Sequence, residues 1–91
     1  MSMQHEGRWV PLTYYLRLKQ GRQPTLEITF RQIESVLGDG LPKPARTQAE
    51  WWRNDPAMPQ AQAWIAAGWQ VGELDLESER VTFVPIPAQS D

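Results

Sequence analysis

A small α+β domain of winged helix-turn-helix type, ordered α-β-α-insertion-α-β-β, is the fold that the sequence predicts. Three observations predict it. Apolar residues recur at helical spacing in three stretches, around Leu12, Phe30 and Trp64. Alternating stretches at 25–29 and in the last quarter of the chain read as a short strand and a hairpin. Between the second and third helices, residues 41–59 are too long for a plain turn and hold two adjacent tryptophans. A bare α+β domain of other topology is the structural alternative.

In the first helix, Pro11 suits the opening turn, where its missing N–H is not needed. Leu12, Tyr15 and Leu16 form its stripe, and Gly21 and Pro24 end it. Leu26 and Ile28 share one face of the first strand. Thr29 then reads as an N-cap, with Gln32 completing a capping box. Phe30, Ile33 and Leu37 form the second helix's apolar stripe, and Gly38 stops it.

In the insertion, Pro42 and Pro44 favour an extended or helix-opening start. Residues 45–53 are expected to form one short helical segment, broken at Asn54-Asp55-Pro56. Neighbouring helical positions point about 100° apart, so Trp51 and Trp52 are expected to differ, one core and one partly exposed. The third helix spans 60–67, with Ala61, Trp64 and Ile65 on its stripe and Gly68 as left-handed cap. Trp69 and Val71 lie on one parity of the next strand, and Leu74 and Leu76 on the other. That change of phase predicts a bulge near Gly72. The hairpin turns at Glu77-Ser78-Glu79 and returns through Val81 and Phe83. The expected core is Leu12, Leu16, Ile28, Ile33, Leu37, Trp64, Ile65, Val71, Val81 and Phe83.

Ninety-one residues suffice for one domain, expected at 9–86, with flexible ends at 1–8 and 87–91. The chain has no cysteine, which excludes disulfides and thiolate chemistry. The only histidine, His5, reads as a solvated tail residue rather than a metal ligand. No apolar run approaches the roughly 20 residues that span a bilayer, and no signal peptide is visible, so a cytoplasmic protein without membrane contact is expected. The net charge is −2, unevenly placed. Residues 1–54 carry eight basic and five acidic side chains, and residues 55–91 carry one and six. Such asymmetry is compatible with one cationic face.

No catalytic set, metal site or cofactor motif is expected. Glu73, Asp75 and Glu77 invite a nuclease reading, but the chain has no lysine after Lys43 and the three lie along a hairpin, where solvated charges are ordinary. A binding module fits better. Lys43, Arg46 and Arg53 are the insertion's cations, and Arg46 can fork onto phosphate or guanine. The plainer reading pairs Arg46 with Glu50, four residues along a helix. Asn54 can pair with adenine or cap a turn. Gln60 and Gln62 open the third helix, where base-reading side chains sit. An exposed Trp51 or Trp52 can stack on a base for roughly 1–3 kcal/mol, unless both rings are core. Arg17, Lys19 and Arg22 are candidate phosphate contacts, or cations that complement a helix C-terminus.

The segments ITFRQIESVLG, LPKPAR, WWRND, QAQAWIAAGW and VTFV together resemble a widespread prokaryotic family of small domains of unknown function. The resemblance covers about residues 12–84 and implies a winged-helix-like fold with nucleic-acid binding as its best analogy. Pro44 departs from that pattern, which has a small polar residue there. Val84-Pro85 lacks the cation that relatives carry at the end of the last strand. The expected function is a non-enzymatic, regulatory nucleic-acid-binding module, with DNA favoured. The alternative is a protein–protein interaction module, an accessory subunit or phage-borne inhibitor, using the tryptophan-rich insertion. Homodimerisation is compatible with either.

Overall fold

The computed structural model describes residues 7–87. The expected flexible ends, and His5 with them, lie outside the described residues apart from Gly7, Arg8 and Pro87. The elements run α1 (Val10–Lys19), β1 (Leu26–Thr29), α2 (Phe30–Leu37), α3 (Lys43–Thr47), a 3-10 turn (Ala49–Trp52), α4 (Pro59–Ala66), β2 (Trp69–Asp75) and β3 (Arg80–Pro85). The three strands make one antiparallel sheet in the order β1-β3-β2. This is a small α+β domain with its helices packed on one face of the sheet.

Local chemistry sets the element boundaries. The predicted capping box opens α2: the Gln32 N–H donates to Thr29 Oγ1 at 3.0 Å, and the Thr29 N–H donates to Gln32 Oε1 at 2.9 Å. Gly68 ends α4 at φ 89°, where a Cβ would also run into the Gln20 side chain. The predicted bulge is present. Val71 pairs with Phe83 and Glu73 with Thr82, so Gly72 is the extra residue. A Cβ on Gly72 would sit 2.8 Å from Val84 Cγ1. The bulge lets both Val71 and Leu74 lie opposite inner-face residues of β3 despite their opposite parity in sequence.

The core is built from Leu12 and Leu16 of α1, Leu26 and Ile28 of β1, Phe30 and Ile33 of α2, Trp64 of α4, and Trp69, Val81 and Phe83 of the hairpin. Three expected members, Leu37, Ile65 and Val71, are only half-buried at its margin. Trp52 and Ala45 enter from the insertion. The rings Phe30, Trp52, Trp64 and Phe83 pack in succession with centroids 5.0, 5.8 and 5.6 Å apart. Every buried indole N–H has an acceptor: Ala45 O for Trp52, Asn54 Oδ1 for Trp64, and Leu16 O for Trp69. Burying an aromatic ring this way keeps its apolar area without an orphaned donor.

The insertion differs from the single helix expected at 45–53. Gln48 is extended at φ −130° and ψ 119°, which splits the segment into α3 and the 3-10 turn. At the hairpin tip, Glu79 adopts φ 57°, the one non-glycine residue with positive φ among those described. Its carbonyl accepts the Phe30 N–H at 2.9 Å, tying the tip to the start of α2.

Candidate functional site

The break at Gln48 removes the expected Arg46–Glu50 pair, because the two residues no longer share a continuous helix. Arg46 turns to other partners. Its Nη2 donates to Glu34 Oε2 at 2.6 Å, and its Nη1 lies 2.7 Å from Glu79 Oε2. The same Glu34 oxygen accepts the Leu41 N–H at 2.8 Å. Arg46 thus clamps α2, the start of the insertion and the hairpin tip, with both fork nitrogens engaged. The bond from Leu41 N–H, then that from Arg46, holds the Glu34 carboxyl below its ordinary value. Hydrogen bonds to Glu79 and then Glu34 push Arg46 upward. Because the folded value of Glu34 is depressed, its stabilising contribution is complete above the ordinary carboxylate range and fades as pH falls through the folded value. The domain should therefore lose stability as pH falls from neutral to below the ordinary carboxylate range, by no more than the roughly 1 kcal/mol that a partly exposed ion pair contributes. Glu34→Gln should narrow the gap between urea midpoints at the two ends of that range. An unchanged gap would remove the clamp's role.

The other expected base readers are also engaged internally. Asn54 Oδ1 accepts from Trp64 Nε1 at 2.9 Å and from Val71 N–H at 2.8 Å, while its Nδ2 donates to Val71 O at 3.1 Å. Val71 and Phe83 face each other on neighbouring strands, and Asn54 meets the polar groups of Val71 on the strand's open side. The side chain therefore substitutes for a neighbouring strand and closes that part of the β2 edge. Gln60 is buried, and its amide donates to Trp51 O at 3.0 Å. Gln62 is exposed but donates to Pro56 O at 2.6 Å. The expected division of the tryptophan pair is observed: Trp52 is core, and Trp51 is half-buried between Trp9 and Trp52, at centroid distances of 5.7 and 4.8 Å. Lys43 and Arg53 are exposed and form no ion pair among the described residues. The structure therefore does not gather the insertion's polar residues into one outward-facing cluster.

The outer sheet face is acidic. Glu27, Glu73 and Asp75 line a shallow depression with Arg80, whose Nη1 lies 3.2 Å from Glu27 Oε2. Asp75 is held below its ordinary value by the Ser78 N–H and hydroxyl, an arrangement of the turn itself. No group of three or more Asp, Glu or His side chains poised to hold a metal occurs among the described residues. No helix there is long and apolar enough to cross a membrane.

The surface that stands out is on α1, where the sequence points to the cations Arg17, Lys19 and Arg22 as candidate contacts rather than to apolar residues. Val10, Tyr14 and Leu18 are 43%, 63% and 70% exposed. They recur every fourth residue and form one ridge pointing away from Leu12 and Leu16. The signal was available in the sequence as a second apolar stripe on the opposite side of the helix from the buried one. A groove of about 400 Å³ adjoins the ridge, with Trp9, Val10 and Thr13 on one side and Pro59, Ala63 and Ala66 of α4 on the other. The hydroxyl of Thr13 donates to Ala63 O at 3.0 Å and fixes the two helices together. Arg17, Lys19 and Arg22 lie along and beyond the ridge's C-terminal end and enter no ion pair among the described residues. Lys19 Nζ sits 5.3 Å from the Tyr15 ring centroid.

No curated protein and no solved structure matches this sequence. Residues 9–86 do match a family described as a domain of unknown function, DUF7662. That span takes in every helix and strand described above, and the chain belongs to this family of small domains whose function is unknown.

Proposed function

We propose that the domain is a non-catalytic interaction module that binds a protein partner through the outer face of α1. The observation that carries this reading is the ridge Val10–Tyr14–Leu18, whose exposure leaves apolar side chains in water that a partner would cover. The insertion's tryptophans serve mainly to build the core. The order of elements and the β1-β3-β2 sheet support reading the fold as winged-helix type. In DNA-binding folds of that type the helix in the position of α4 enters the groove. Here residues 56–72 contain no charged side chain, and Gln60 is buried. Those features favour a protein partner over a phosphate backbone, which calls for cations on the docking helix. Nucleic acid remains the competing occupant because Lys43 and Arg53 are exposed.

A photo-crosslinking amino acid at position 18, compared with one at Thr82 on the outer sheet face, tests the reading in cells. The expected result is a discrete protein adduct from position 18 that is absent from position 82. A nucleic-acid adduct, or equal yields from both positions, would overturn it.

A further inference from the structure

We infer that the occupant of the α1 face is an acidic amphipathic helix of the partner, an inference that rests on the docking reading above. Shape and charge both point to it. Residues spaced i, i+4, i+8 form the ridge by which one helix packs into the groove of another, crossing at about −50°. From Val10 to Leu18 the ridge rises about 12 Å at 1.5 Å per residue, the length of two to three turns of a partner helix. The adjoining groove offers a recess of about 400 Å³ for side chains projecting from the same helix.

Charge selects the partner's polar flank. Residues 7–26 contain Arg8, Arg17, Lys19 and Arg22 and no acidic side chain, although the whole chain is net negative. Arg8 is partly engaged, donating to Gly40 O at 3.0 Å with Asp39 3.9 Å away. Arg17, Lys19 and Arg22 remain, and Leu18 lies with Tyr15, Lys19 and Arg22 around a second recess. Leu18 is thus an apolar contact set among cations. A helix with leucine-like residues on one side and Glu or Asp beside them satisfies both features at once. A phosphate backbone would use the cations and leave Val10, Tyr14 and Leu18 without a counterpart. A flat anionic bilayer would leave the groove unfilled.

The test titrates the full chain into two fluorescein-labelled designed helical peptides. One has a leucine stripe flanked by Glu, and the other is its twin with Lys at every Glu position. Anisotropy should show the Glu peptide binding at least about tenfold more tightly, with the difference shrinking as salt rises. Leu18→Ser and Arg17→Glu should each weaken binding of the Glu peptide by about tenfold, the effect of losing one buried side chain or one favourable charge contact. Both positions are exposed, and unchanged circular dichroism would show that the fold persists. Equal binding of the twins, with loss on Leu18→Ser, would overturn the acidic commitment while leaving docking on α1 in place. Binding indifferent to Leu18→Ser, no binding of either peptide, or displacement of the Glu peptide by duplex DNA or phosphatidylserine vesicles would overturn the inference entirely. Failure of the docking reading itself would register separately, as absence of the position-18 protein adduct in cells.

Discussion

Trp64→Ala is expected to destabilise the domain by about 3–5 kcal/mol, the cost of removing a large buried ring and leaving a cavity. Trp64 is fully buried between Trp52 and Phe83. Its neighbours come from the insertion and from β3, so neither side can close the gap without moving a separate element. A domain of this size has a total stability of roughly 5–15 kcal/mol, so the variant should be largely unfolded at modest urea concentrations. Trp64→Phe keeps much of the packing and should lose distinctly less. Urea denaturation followed by circular dichroism measures both. A loss under about 1 kcal/mol for the alanine variant would mean that the aromatic succession is not the centre of the core.

Asn54→Ala is expected to cost about 2–4 kcal/mol, large for an exposed residue, because it leaves the buried Trp64 N–H without an acceptor and uncovers both polar groups of Val71. Asn54→Asp retains acceptors for the two N–H groups but loses the bond to Val71 O, so it should fall between wild type and alanine. In a Trp64→Phe background the orphaned indole donor no longer exists, and Asn54→Ala should cost less there. That coupling separates the indole contribution from the strand-edge contribution. An Asn54→Ala protein within about 0.5 kcal/mol of wild type would place Asn54 among ordinary surface residues.

The elements were legible because each carries its own local signal. Thr29 and Gln32 announce the start of α2, and Gly68 announces the end of α4. The change of apolar parity across Gly72 is the bulge written in one dimension. What local pattern does not contain is the partner of a polar side chain. Arg46 was open between ligand contact and an i, i+4 pair with Glu50, whereas its partners Glu34 and Glu79 lie 12 and 33 positions away. Asn54 was open between base reading and turn capping, and its bonds run to Trp64 and to a strand 17 residues on. The same limit explains α1. Val10, Tyr14 and Leu18 are visible as apolar positions, but only the packing of α1 against α4 and α2 decides which stripe is covered.

Glu79 joins three parts of the structure: it turns the hairpin, accepts the Phe30 N–H and pairs with Arg46. A left-handed conformation in a residue with a Cβ is disfavoured by about 1–2 kcal/mol; within the turn the Glu79 N–H donates to Leu76 O at 3.3 Å, and Asp75 accepts from the Ser78 N–H and hydroxyl. Further contacts come from residues 30 and 46, earlier in the chain by 49 and 33 positions. The hairpin tip is therefore tied to those distant segments, and each tie carries the entropic cost of closing a long loop.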